Sequence, residues 1–194
     1  GAVIEDVTVT NLTKWEVTTS PIFLRLGHRA RGPEATPVGA IRRVIISNVT
    51  VFDAESRFAS IIAGLPGHPV EDVTVSAIRI VHRGGGTAED AALRPPENAD
   101  AYPEPSMFGT IPAHGLFIRH AREVVVRDLD VTAAFPEARP AVVLEDAADV
   151  RFDGLRTSGS TGGLFLLREA TGFSARACEA LPDVVRERAV EERL

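Results

Sequence analysis

Arg25, His28, Arg29 and Arg31 crowd into one short stretch, Arg25-Leu26-Gly27-His28-Arg29-Ala30-Arg31-Gly32-Pro33, where an apolar strand opens into a loop. Guanidinium groups bind carboxylates in a bidentate fashion, so a cluster of this kind suits an acidic sugar polymer. The alternative is an ordinary solvated loop paired with Glu34 or Glu16. His68 lies in Gly64-Leu65-Pro66-Gly67-His68-Pro69 after a second apolar strand. Gly and Pro there read as a turn, with His68 either part of that turn or lining the same face as His28. His114 and His120 flank a third apolar strand, and Arg119 lies beside it. Strand alternation separates Arg119 from Leu116 and points the arginine toward a groove.

Groups suited to acid–base catalysis are scarce. Glu89 and Asp90 are the nearest approach to a carboxylate pair, but they follow the glycine-rich Gly84-Gly85-Gly86. General acid and base need fixed geometry and a pKa difference set by burial, which such a loop supplies poorly. The glycine run is not a phosphate loop, because no Lys-Ser/Thr follows it. Asn11-Leu12-Thr13 and Asn48-Val49-Thr50 match the N-glycosylation pattern. Both asparagines also fall at a repeated turn position, which accounts for them without glycans.

Composition narrows the partners. The 194 residues carry a net charge of −6, which gives nucleic-acid binding no electrostatic support. No apolar run approaches the roughly 20 residues of a membrane helix. Cys178 is the only cysteine, so neither an intrachain disulfide nor a cysteine metal site is expected. No cofactor and no metal are implied.

The elements that must position these groups form a repeat. Val7-Thr8-Val9-Thr10-Asn11-Leu12-Thr13 recurs as the segments beginning at Val44, Val73, Val124 and Val150. Each copy reads apolar-x-apolar, two residues, apolar-x-apolar. Alternation with period two marks a half-buried strand, and the two-residue break marks a bend. Its second residue is Asn11, Asn48, Ala77, Asp128 and Gly154 in turn. Asn, Asp and Gly tolerate a left-handed backbone, so the bend reads as a turn with one positive-φ residue. A second family of near-continuous apolar strands lies between the copies: Pro21-Ile22-Phe23-Leu24-Arg25-Leu26, Ala59-Ser60-Ile61-Ile62-Ala63, Gly115-Leu116-Phe117-Ile118-Arg119, Ala141-Val142-Val143-Leu144 and Gly163-Leu164-Phe165-Leu166-Leu167. Such runs suit strands buried on more than one side.

The uneven spacing of the five valines fits a basic coil of about 25 residues with inserted loops. The fold class expected is all-β, a right-handed parallel β-helix of the pectin-lyase-like kind, as one domain over residues 1–194. An irregular β-sandwich is the competing architecture. Exposed strand edges must be capped. Leu181, Val184, Val185 and Val190 fall near one face of residues 181–194, which reads as a capping amphipathic helix or else a frayed tail. Val3-Ile4 enters the first repeat with nothing to cover it, so upstream coils of the same protein are expected. The longest insertion, residues 84–112, carries Tyr102, Met107 and Phe108, apolar anchors that suggest a packed loop.

Several segments together resemble a family. Pro21-Ile22-Phe23-Leu24-Arg25-Leu26-Gly27, Pro66-Gly67-His68-Pro69-Val70-Glu71-Asp72-Val73-Thr74, Tyr102-Pro103-Glu104-Pro105-Ser106-Met107-Phe108-Gly109 and Ala113-His114-Gly115-Leu116-Phe117-Ile118-Arg119-His120 are similar to the later coils of polygalacturonase-type glycoside hydrolases, family twenty-eight. The likeness is greatest to rhamnogalacturonan- and exo-acting bacterial members and runs over residues 3–157. It implies pectin hydrolysis with inversion by paired aspartates, a groove for an acidic polysaccharide, no metal, and a secreted or periplasmic location. The family's Asn-Thr-Asp, Asp-Asp, Gly-His-Gly and Arg-Ile-Lys motifs are absent, and no two aspartates are adjacent. The resemblance therefore implies a C-terminal portion with no catalytic residue of its own, inactive alone. Arg25, His28, Arg29, Arg119 and Tyr102 are the expected substrate-groove residues. The competing reading is a non-catalytic β-helix that binds acidic glycans or serves as a stalk. A calcium-assisted lyase would need a carboxylate cluster that the scattered aspartates do not provide.

Overall fold

The computed structural model describes residues 1–33 and 36–194, so Glu34, a suggested partner of the arginine cluster, lies outside the described residues. The chain is mostly β. Its strands are β1 (Val3–Trp15), β2 (Phe23–Arg25), β3 (Ala40–Ala54), β4 (Ser60–Ala63), β5 (Val70–His82), β6 (Leu116–Glu137), β7 (Val142–Ser160), β8 (Phe165–Arg176) and β9 (Val184–Arg193). One short helix, α1 (Ala88–Ala92), and a 3-10 turn at Pro105–Phe108 lie in the insertion. The strands join in the order β1-β3-β5-β6-β7-β8-β9, and β2 and β4 reach β6 by a second path. Every pairing up to β8 is parallel.

The repeat reappears as register. Val7 pairs with Val44, Val44 with Val73, Val73 with Val124, and Val124 with Val150. Alternate residues face inward, as Val73, Val75, Ile78 and Ile80 show in β5, all at least 98 % buried. The alternation breaks at the bend because one residue there is left-handed. Asn11, Asn48, Ala77, Asp128 and Gly154 all have positive φ, between 51° and 79°. A left-handed residue swings the chain through a corner, so apolar side chains on both arms of the bend reach one interior. The Asn48 amide donates to the Asn11 carbonyl oxygen at 2.6 Å, so these two asparagines are used as a rung of the corner.

The second strand family lies between two cores. Ile62, Leu116, Ile118, Val142 and Leu144 join the main core, where Phe152, Phe165 and Phe173 pack edge to face. Ile61, Phe117, Val143 and Leu166 face a smaller one, closed by Phe58, Phe108 and Ile111. Burial on both sides is why these segments read as unbroken apolar runs. Phe108 and Met107 anchor the insertion in that smaller core, whereas Tyr102 stays exposed.

The C-terminal segment is a strand, not the amphipathic helix expected over residues 181–194. β9 pairs antiparallel with β8, from Leu166↔Arg193 to Ala175↔Val184. Val185 and Val190 are exposed, and the inward residue is Ala189. An open β8 edge offers unpaired backbone donors and acceptors along its length, a demand that a helix lying across it would leave unmet.

Candidate binding surface around the insertion

The five expected groove residues gather around one feature, the middle of the 84–112 insertion, but in two different settings. Arg25 and Arg119 are buried. Register places Arg25 beside Ala63, Ala63 beside Arg119, Arg119 beside Glu145 and Glu145 beside Arg168. Three arginines thus stand on alternate rungs, roughly 9.5 Å apart at the usual strand spacing. Each guanidinium is spent on the insertion's backbone. Arg25 donates to Glu97 O at 2.6 Å and to Gly64 O. Arg119 donates to Pro95 O at 2.7 Å, and Arg168 to Leu93 O at 2.8 Å and Ala91 O at 3.0 Å. Arg119 does not project into an open groove: residues 93–97 lie over it.

Carboxylates complete this interface. Glu145 stands between Arg119 at 3.2 Å and Arg168 at 3.6 Å, and Glu97 contacts Arg119 from the insertion side. His120 follows Arg119 at a corner with φ 46°, and its ring lies between two carboxylates. Its Nε2 lies 2.9 Å from Glu97 Oε1 and its Nδ1 2.6 Å from Asp146 Oδ2. Burial pushes the Arg25 pKa down to about 10, with Glu97 opposing and Arg119 adding to the fall. The Arg168 pKa is lowered chiefly by burial and then by Arg94.

Arg29, His28 and Tyr102 form the accessible part. The Arg29 guanidinium sits 4.9 Å over the Tyr102 ring, a cation–π pair whose aromatic partner is 65 % exposed. The backbone joins the two loops: His28 N–H donates to Ala99 O at 2.7 Å. The His28 Nε2 lies 3.1 Å from Thr36 O. A cavity of about 270 Å³ opens beside them, lined by Arg25, His28, Arg29, Arg31 and the start of β1.

A third polar group is structural. Glu137 and Arg139 are buried together, and Glu137 accepts hydrogen bonds from Gly86 N, Arg139 N and the Arg139 guanidinium. Arg139 also donates to Ile111 O and Ser56 O. Burial would raise the Glu137 pKa, but these Arg139 contacts outweigh it and hold the carboxyl at about 2. His82 donates from Nε2 to Phe58 O and accepts from Gly84 N at Nδ1. His114 donates from Nδ1 to the Arg139 and Pro140 carbonyls, and its Nε2 accepts the Thr157 hydroxyl at 3.2 Å. Burial pushes His114 down to about 4 and lowers His82 as well. Each of these groups has hydrogen-bond partners within the fold.

Asp90 accepts from Thr87 N and its own N–H donates to the Thr87 hydroxyl, a capping box that starts α1. Its partnership is thus with the helix, not with Glu89. His68 lies exposed on a turn closed by Leu65. Among the described residues no group of three or more His, Cys, Asp or Glu is placed to hold a metal.

Arg168, Glu145, Glu97 and the Glu137–Arg139 pair were not singled out from the sequence. A signal existed for Arg168: Phe23-Leu24-Arg25, Phe117-Ile118-Arg119 and Leu166-Leu167-Arg168 are one motif written three times. No protein-family model, curated protein or solved structure matches this chain.

Proposed function

We propose that the chain is a run of coils of a right-handed parallel β-helix belonging to a pectin-directed glycoside hydrolase, supplying substrate groove and end cap but not the catalytic aspartates. The observation that carries this reading is the surface where Arg29 lies over exposed Tyr102 beside His28 and the arginine row. An aromatic ring offers its face to a sugar, and a guanidinium offers paired donors to a uronate carboxylate. The in-register valines and left-handed corners support the coil architecture. An inverting hydrolase needs two carboxyl groups roughly 6.5–9.5 Å apart across a water-filled gap. Glu97, Glu145, Glu137 and Asp90 are instead engaged by arginine, histidine or a helix cap, which favours a non-catalytic contribution. The second reading, a glycan-binding β-helix without any catalytic partner, rests on the same surface.

The test is calorimetric titration of the chain with an oligogalacturonate decamer and with a neutral cello-oligosaccharide. The expected result is binding of the acidic oligomer alone, weakened about tenfold by Arg29→Ala or Tyr102→Ala, a loss near 1.4 kcal/mol. Equal binding of the neutral sugar, or variants that bind as the parent does, would remove the assignment. Hydrolysis of polygalacturonate by this chain would overturn the non-catalytic role.

A further inference from the structure

We infer that the arginine row beneath the insertion is itself a binding site for a carboxylate-bearing polymer, masked by residues 91–97, which act as a displaceable strap. This inference rests on the acidic-glycan reading given above. Three features carry it.

The first is periodicity. Arg25, Arg119 and Arg168 recur on every second rung of the same strand family, at one register position. A row of cations at regular spacing matches a ligand whose charges also repeat. Loop fixation alone asks for no such regularity.

The second is what occupies the row now. The carbonyls of Ala91, Leu93, Pro95 and Glu97 take the guanidinium donors, and the Glu97 carboxylate lies on Arg119. These neutral carbonyls stand where carboxylates would make stronger, charge-assisted bonds.

The third is how unevenly the insertion is held. Its ends are secured: Gly86 N–H is bound by Glu137, and Phe108 with Ile111 is sealed in the smaller core. Its middle is held by polar contacts that are imperfectly matched. Among the described residues, seven buried side-chain atoms lack a hydrogen-bond partner, and five of them are here: Arg25 Nε, Arg119 Nε, Arg168 Nε, Glu97 Oε2 and Glu145 Oε2. Unmet donors in a buried contact lower the cost of exchanging it for a better-matched ligand. Removing the strap takes away Glu97 and leaves Glu145 and Glu191 against three arginines, so the uncovered row stays net positive.

Glu97→Gln keeps the shape of the strap while weakening its hold on Arg119 and His120. Oligogalacturonate decamer is titrated into the parent chain and into Glu97→Gln and Arg119→Gln, and amide hydrogen exchange of residues 88–97 is followed with and without the decamer. The strap predicts about tenfold tighter binding by Glu97→Gln, the opening penalty being reduced. It also predicts weaker binding by Arg119→Gln, and faster exchange at the Ala91 and Leu93 amides when decamer is present. Binding that is lost with Arg29→Ala yet indifferent to Glu97→Gln, with unchanged or slower exchange over 88–97, overturns the masked site and leaves the accessible surface standing. No decamer binding by either the parent chain or Glu97→Gln overturns both.

Discussion

Arg139 and Glu137 face each other at 2.8 Å with both side chains shut off from solvent, two residues apart in sequence. The pair ties three separate segments together through Gly86, Ser56 and Ile111. A buried ion pair contributes little net stability against an apolar replacement, yet removing one member strands the other. Glu137→Gln is therefore expected to destabilise the protein by about 3–5 kcal/mol, read from the urea midpoint. A loss below 1 kcal/mol would show that Arg139 finds other partners.

Gly86 and Gly85 provide a paired test of the same contact. A Cβ at Gly86 would run into the Arg139 Nε and Glu137 Oε1, whereas one at Gly85 meets nothing within 4 Å and suffers only from its φ of 89°. Gly86→Ala is expected to cost about 3 kcal/mol through overpacking and a displaced ion pair. Gly85→Ala is expected to cost about 1–2 kcal/mol from backbone strain alone. Chemical denaturation of the two variants side by side separates the outcomes, and the reverse order would refute the contact.

Stability should fall on acidification below about pH 6.5, and the imidazoles are the reason. His114 is held at about 4 in the folded chain against an ordinary 6.5. Between those values the unfolded chain binds the proton and the folded chain does not, so stability declines as pH drops through that window and levels off below about 4. The full effect for His114 is about 3 kcal/mol, and His82 adds to it in the same direction. Glu137, held at about 2, supports the fold above its ordinary 4.5 and withdraws that support as pH falls toward 2. Urea midpoints measured from pH 7 to 4 should therefore slope, and His114→Gln should flatten much of that slope. A flat profile in the parent chain would show that His114 is open to water.

Ala77 occupies a corner that its neighbours fill with Asn48 and Asp128, and it pays for a φ of 53° with no side-chain compensation. Ala77→Asn should raise stability by about 1 kcal/mol by relieving left-handed strain, and it places a third amide beside the Asn11–Asn48 rung. Thermal unfolding reads this directly. A lowered melting temperature would mean that the corner has no room for the amide.

Much of the architecture was written locally. Val44 and Ile46 against Val49 and Val51 give the two arms of a strand, and Asn48 between them gives the corner. The C-terminal segment was not legible in this way. Val184, Val185 and Val190 are compatible with a helical face, yet two of them end up exposed, because what shapes β9 is the β8 edge far away in sequence. Arg29 was singled out by its place in a basic cluster and Tyr102 through the family resemblance, and the two meet in space. Arg119 was read as facing a groove, and its cover was not legible, since residues 95–97 reach it through tertiary packing that no periodicity encodes.

The insertion leaves after β5 and returns into β6, yet its middle reaches Arg25 on β2 and Arg168 on β8. Strands arranged in a row contact only those beside them, and such arrays can peel apart one rung at a time. Here residues 77 apart in sequence, Ala91 and Arg168, share a hydrogen bond that spans several rungs. The segment acts as a splint laid across the grain, so the central strands should melt together as one unit instead of unravelling from an end.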